Sequence, residues 1–437
     1  MSDMLTANAT DLPGVFRGEL GYEIEDTSIV DFTGSVQMTR PDMGSVQPVI
    51  VKGPHEELFV SSRLDHTFEQ CRDIYHSTDG GRTWSTLCQI PHELLHPDFV
   101  ARIGTKGPPT TGLKLGSVCV AGVLSDGTLL VGINHWGAGS TGGAHDDSSY
   151  YMRTFITRST DRGRTWSEPV EIDPYPFDIV GGNPSRFYEM PDGRVLVPLM
   201  TYPGPDTVRG DIFRQYAVSF VYASENGGVS WRRYGELGRF TCENDLLLLP
   251  TSRMLCATRY QRGFMPWDPR EVVDRYGRVS AERPRGVSII KQTALMHSDD
   301  DGRTWSVPKV LTGAFQQTGC LVRLSDGTLV LPFGFKRDQS QRAIFSFDDG
   351  QTWSRKIFLL GECGMYASSV ALADDTIITV SATVETAASK ATADQPRGRK
   401  TGPDLGLDLH VMRWEVPTRE AIGAAGFFVP QPVGAEP

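Results

Sequence analysis

The chain has 437 residues, of which 39% are hydrophobic and 22% charged, and it carries a net charge of −10. That acidic balance, with no basic run to track phosphates, argues against nucleic acid as the main partner. No stretch approaches the ~18 apolar residues of a membrane helix, so no membrane partner is expected either.

The opening residues, MSDMLTANATDLPGVF, show neither a basic nor an apolar leader segment. The expectation is a cytoplasmic protein, with an extracellular location left open. Seven cysteines (Cys71, Cys88, Cys119, Cys242, Cys256, Cys320 and Cys363) are scattered and never form a CxxC pair. They read as reduced core thiols, and neither a metal nor a cofactor is expected.

Further along, one pattern recurs. The stretch 48–62 reads as two short strands joined by a turn, and it is followed by HSTDGGRTWS, with Ser77, Asp79, Gly81, Thr83 and Trp84. The hairpin 120–133 precedes RSTDRGRTWS, with Ser159, Asp161, Gly163, Thr165 and Trp166. The hairpin 187–200 precedes a looser copy, Ser224, Asn226, Gly228, Ser230 and Trp231. The hairpin 246–259 leads to Ser298, Asp300, Gly302, Thr304 and Trp305, and 321–334 leads to Ser346, Asp348, Gly350, Thr352 and Trp353. A sixth hairpin, 368–381, is followed by LDLHVMRWEV (407–416), a strand without a box.

The box has a physical logic. Asp or Asn accepts bonds from amides of its own turn, Gly takes a positive φ, and Trp buries its ring against the neighbouring sheet. The run Asp299-Asp300-Asp301 belongs to this turn and is not read as a calcium site. Short strands and turn signals repeated at this interval define propeller blades. The expected fold is all-β, one six-bladed β-propeller across 1–437, with a closing strand from 14–40 and a flexible loop at 382–406.

In such a ring, first strands begin and second strands end at one mouth, so those ends converge. Strand starts contribute Gln47, Asn183 with Arg186, Glu243 with Asn244, Gln316 with Thr318, and Tyr366. Strand ends contribute Arg63, His135 with Trp136, Tyr202, Arg259, and Lys336 with Arg337. Long segments follow the second strands there, and 259–285 carries seven arginines against four acidic residues. A positive rim of this kind would draw in an anionic ligand.

The chain resembles the sialidases (neuraminidases) over nearly its whole length, through the boxes and through finer matches. GMYASSVAL (364–372) is similar to the segment bearing the tyrosine nucleophile, which implies Tyr366. CENDLLLLPTSRMLCATR (242–259) is similar to the stretch linking a glutamate to a clamp arginine, which implies Glu243 as the base and Arg259 on the substrate carboxylate. FVSSRLD (59–65) implies Arg63 as a further site arginine, and GFKRDQSQRAIFS (334–346) offers Arg337 or Arg342. The family's acid/base aspartate falls just after Arg63, where Asp65, Glu69 and Asp73 stand and Asp65 is the working choice. Where the family opens its first inner strand with an arginine, this chain has Val46, in Ser45-Val46-Gln47-Pro48.

The resemblance implies an exo-acting glycoside hydrolase for a terminal sialic acid or related acidic sugar. Guanidinium forks suit a carboxylate, and a neutral tyrosine nucleophile avoids the repulsion that a carboxylate would meet there. Gln47, Asn183, Arg186, His135 and Trp136 complete the expected substrate-binding set. Two other readings remain: a uronate lyase using Tyr366 or His135 with Arg259, and a carbohydrate-binding propeller without catalysis.

Overall fold

The computed structural model describes residues 27–29, 32–37, 47–63, 72–96, 98–100, 116–136, 152–181, 185–202, 217–262, 290–313, 316–335, 340–361, 366–382 and 409–433. The segment 382–406 therefore lies, save for its first residue, outside the described residues.

Six mainly antiparallel sheets stand around one axis, with parallel pairs where Thr27–Ile29 joins Ile357–Gly361 and where Ser185–Arg186 joins Ser117–Val123. Blade one runs Gln47–Lys52, Leu58–Arg63, Asp73–Ser77 and Ser85–Gln89 from inside outward. Blade two runs Ser117–Val123, Leu129–Trp136, Met152–Ser159 and Val170–Glu171. In blade three the inner edge is broken into Ile179–Gly181 and Tyr188–Glu189, both paired with Val195–Tyr202; Val218–Ser224 and Arg232–Arg239 follow. Blade four runs Thr241–Leu248, Met254–Arg262, Ile290–Ser298 and Lys309–Val310. Blade five has Gln316–Gln317 and Val322–Arg323 on its inner edge, then Leu329–Phe335, Ser340–Ser346 and Ile357–Gly361. Blade six runs Ala367–Ala371, Ile377–Ala382 and Leu409–Trp414, and its outermost strand, Phe32–Gln37, comes from the N-terminal segment. An early strand of the chain thus completes the last blade and closes the ring, leaving only short sheet edges.

Six apolar clusters fill the gaps between successive blades. Val131, Ile133 and Phe155 of blade two meet Val49 and Phe59 of blade one. Leu331 and Phe333 of blade five meet Leu255 and Leu295 of blade four, and Ile378 and Val380 of blade six meet Ile50 and Val60 of blade one. Each sheet is covered on both faces, which explains why second strands such as Val195–Tyr202 and Leu329–Phe335 are apolar almost throughout.

All five boxes sit in the turn between the third and the outer strand, at the end of the blade opposite the mouth. Their bonding repeats. Asp300 Oδ1 accepts from Ser298 Oγ at 2.8 Å and from Thr304 N at 2.9 Å, while Asp300 Oδ2 accepts from Thr304 Oγ1 at 2.7 Å. Those bonds from Thr304 hold the Asp300 carboxyl down at about 2. In the third box Asn226 makes the same bond to Ser230 N at 2.9 Å, and its Nδ2 donates to Ser230 Oγ at 2.9 Å. Trp353 is fully buried against blade four, with Nε1 donating to Gly350 O at 3.1 Å. Among the described residues no helix is long and apolar enough to cross a membrane.

Candidate functional site

The inner strand of blade four carries the centre of the site. Cys242 pairs with Arg259 and Asn244 with Thr258, which leaves Glu243 as the extra residue of a β-bulge with φ 48°. A bulge re-aims the side chain it isolates, and a non-glycine residue at positive φ persists only where its surroundings hold it. Thr318, near the start of blade five's inner edge, has φ 60° and is also buried. The two strained residues face each other: Thr318 Oγ1 donates to Glu243 Oε2 at 2.5 Å.

Glu243 is 5% exposed and acts as a hub. Its Oε2 also accepts from Arg259 Nη1 at 2.5 Å, and its Oε1 lies 3.4 Å from Tyr366 Oη, the donor. Arg259 Nη2 donates to Gln261 Oε1, two residues along the same strand and on the same face. Burial works against the charge of Arg259, but the Glu243 carboxylate more than offsets it, so the guanidinium is held more basic than usual. Arg259 Nε is buried and makes no hydrogen bond among the described residues. One carboxylate oxygen is thus fixed by two donors, and the other is left facing a phenol. That arrangement can take a proton from Tyr366 and present a positive charge beside it.

Other expected residues lie elsewhere. Gln47 is buried at the mouth end of blade one, opposite Arg63 in the ladder. The backbones of Arg63 and Trp136 end their strands at the mouth, and their side chains lie outside the described residues, as do Asp65, Asn183 and Arg337 entirely. Arg342 stands on the third strand of blade five, with its guanidinium 4.4 Å over the Phe335 ring and Nε donating to Ser340 Oγ at 2.9 Å.

One expectation needs correction. His135 shares a strand face with Val131 and Ile133, because side chains alternate with a period of two, and it points into the core between blades one and two. It is fully buried, Nε2 lies 3.0 Å from Leu94 O, and Phe99 and Phe155 flank the ring. It is a core histidine, not a group at the mouth. Arg186 lies in the two-residue strand Ser185–Arg186, which pairs in parallel with Val120–Ala121 of blade two. Its guanidinium bonds to Asp245 and to the carbonyls of Ser369 and Leu321. Its side chain is engaged with protein groups of blades four, five and six.

Thr318 stood only among the strand starts, and Gln261 and Asp245 were missed. For the latter two a faint signal existed: each lies two positions from a site residue on the same strand.

Comparison with known proteins bears on the fold. The BNR/Asp-box repeat family model matches residues 75–86, the first box. No curated protein matches the sequence. Among solved structures, a protein of unknown function from Dyadobacter fermentans is similar at 14% identity and TM-score 0.58, covering 89% of this chain and 99% of its own. A Hadza microbial sialidase is similar at 18% identity and TM-score 0.54, covering 87% of this chain and 66% of its own. Trypanosoma rangeli sialidase, in complex with sialic acid, is similar at 13% identity and TM-score 0.53. That match covers 89% of this chain, which spans 60% of the trypanosomal chain. The fold is that of the sialidase-like six-bladed propellers.

Proposed function

We propose that the chain is an exo-acting glycoside hydrolase of the sialidase type, acting on a terminal sialic acid or related acidic sugar. The observation that carries this reading is the contact of Tyr366 with Glu243, itself paired with Arg259, at the mouth of a sialidase-like propeller. Tyr366 Oη attacks the anomeric carbon as its proton passes to Glu243 Oε1, and the bond to the leaving oxygen breaks. The leaving oxygen takes a proton from an acid, for which Asp65 is the choice. Water then cleaves the tyrosyl–sugar bond and returns the enzyme to its starting state. Arg259 holds the sugar carboxylate, with Arg63 and Arg337 or Arg342 as further donors. The lyase reading loses one of its two bases, because His135 is sealed in the core.

The test is a covalent trap. Trypanosoma rangeli sialidase has been solved with 2,3-difluorosialic acid as a covalent intermediate. Incubation of this protein with that compound should add one sugar mass to the peptide containing Tyr366, and Tyr366→Phe should neither trap it nor hydrolyse aryl sialosides. A parent that hydrolyses an aryl sialoside while its Tyr366→Phe variant retains that activity would exclude the nucleophile role. Appearance of unsaturated-uronate absorbance on uronate polymers would favour the lyase instead.

A further inference from the structure

Among the described residues the inner strands of blades four, five and six lie in separate sheets and share no hydrogen-bonded ladder, so side chains help to set their spacing around the axis. Arg186 provides such a link across the ring. From the blade-three segment Ser185–Arg186, which pairs in parallel with Val120–Ala121 of blade two, its Nε donates to Asp245 Oδ1 at 2.8 Å and its Nη2 to Asp245 Oδ2 at 2.5 Å, on the inner strand of blade four. Nη2 also reaches Leu321 O of blade five at 3.2 Å, and Nη1 reaches Ser369 O of blade six at 2.8 Å. Blade six lies opposite blade three in a ring of six, so this side chain crosses the axis. Asp245 Oδ2 in turn accepts from Leu321 N at 2.8 Å, and Ser185 Oγ donates to Asn244 O at 3.0 Å.

The acceptors stand in a telling register. Asp245 lies two residues beyond Glu243, Leu321 three beyond Thr318, and Ser369 three beyond Tyr366. At about 3.3 Å per residue, one guanidinium joins all three strands roughly 7–10 Å from the groups they present at the mouth. We propose that Arg186, clamped by Asp245, is a positioning residue that sets the separation of Tyr366 from Glu243. This rests on reading those two as the reacting pair. A planar fork with five donors can hold a carboxylate and two carbonyls at once, whereas a lysine ammonium has three donors at a point. Burial opposes the charge of Arg186 and Asp245 more than offsets it, so the link stays charged.

The experiment uses the full chain with two variants, Arg186→Lys and the pair Arg186→Met with Asp245→Leu. The pair replaces a buried ion pair by apolar groups of similar volume, a change that many folds accept. On an aryl sialoside, kcat should fall about 100-fold in both variants with KM within about threefold, the mark of misplaced groups and not of lost binding. In parallel, 3-fluorotyrosine labelling with ¹⁹F NMR, the Tyr366 signal being assigned by its loss in Tyr366→Phe, should show a shifted titration midpoint in both variants. Cooperative thermal unfolding identifies folded variants, and if the pair fails to fold, Arg186→Lys decides. Unchanged kcat and an unmoved Tyr366 titration in a folded variant, or full activity in Arg186→Lys, overturns the positioning role. If the parent turns over no acidic-sugar glycoside, it is the hydrolase reading that fails. The Tyr366 titration then decides positioning alone, and an unmoved midpoint refutes it.

Discussion

Glu243→Gln exchanges one oxygen for an amide at the centre of the site, and the structure says what that exchange removes. Glu243 is 5% exposed, and its Oε2 takes 2.5 Å bonds from Arg259 Nη1 and Thr318 Oγ1. The glutamine oxygen can occupy that position, so both donors keep a partner, but the Arg259 bond is no longer charge-assisted. A bond to a charged group is worth about 1.5–3 kcal/mol against about 1 for a neutral one, and the buried guanidinium also loses its counter-charge. The expected loss of stability is about 3 kcal/mol, read from urea unfolding as a lower midpoint at unchanged slope. The amide NH₂ then faces Tyr366 Oη, which Oε1 approached to 3.4 Å, and it can donate to the phenol but cannot take its proton. Loss of a general base costs roughly 10²–10⁴ in rate, so kcat on an aryl sialoside should drop by that factor with KM little changed. A Glu243→Gln protein as stable as its parent would show that the carboxylate is not the counter-charge of Arg259. One that is folded and as active as its parent would show that Glu243 is not the base.

Tyr366→Phe should abolish turnover while unfolding within about 1 kcal/mol of the parent, since the long hydrogen bond to Glu243 is lost and the buried ring stays; a larger loss in calorimetry would make Tyr366 a structural residue. The box aspartates make a prediction about pH. The Asp300 carboxyl is held at about 2 in the folded protein against about 4 in an unfolded chain, so its contribution is present above pH ~4 and is lost as pH falls toward 2. Asp300→Asn, which installs the bonding that Asn226 already shows, should therefore differ from the parent in Tm at pH 7 by more than at pH 3; a difference independent of pH would refute the linkage. Gly235→Ala should destabilise by about 2 kcal/mol in denaturant unfolding, because a Cβ there would sit 2.0 Å from the backbone carbonyl of Gly302 in the fourth box. A neutral result would mean that blades three and four are free to part at that point.

The blades were legible along the chain because a hairpin and a box are local objects. Asp79, Asp161, Asn226, Asp300 and Asp348 each find their bonding partners within four residues, so the motif carries its own turn. Counting six hairpins then set the blade number, and a final sheet without a box pointed to a strand supplied from the other end. The pairing of Glu243 with Arg259 was also within reach, since both lie in one hairpin. What only the tertiary structure decided lies across the axis. Tyr366 and Glu243, joined in the sequence only through the family resemblance, are far apart in the chain, and their 3.4 Å contact exists because blades four and six flank blade five. The bulge that turns Glu243 into the site comes from a register shift between two strands, which composition does not reveal. His135 and Arg186 show the same limit in opposite directions. By count His135 stood at a strand end and Arg186 at a strand start, yet strand alternation buried the first in the core between blades one and two, and the guanidinium of the second is bonded to Asp245, Leu321 and Ser369. Local hydrogen bonds write themselves into a sequence; which side of a strand meets the axis, and at what depth, is settled only when six sheets close into a ring.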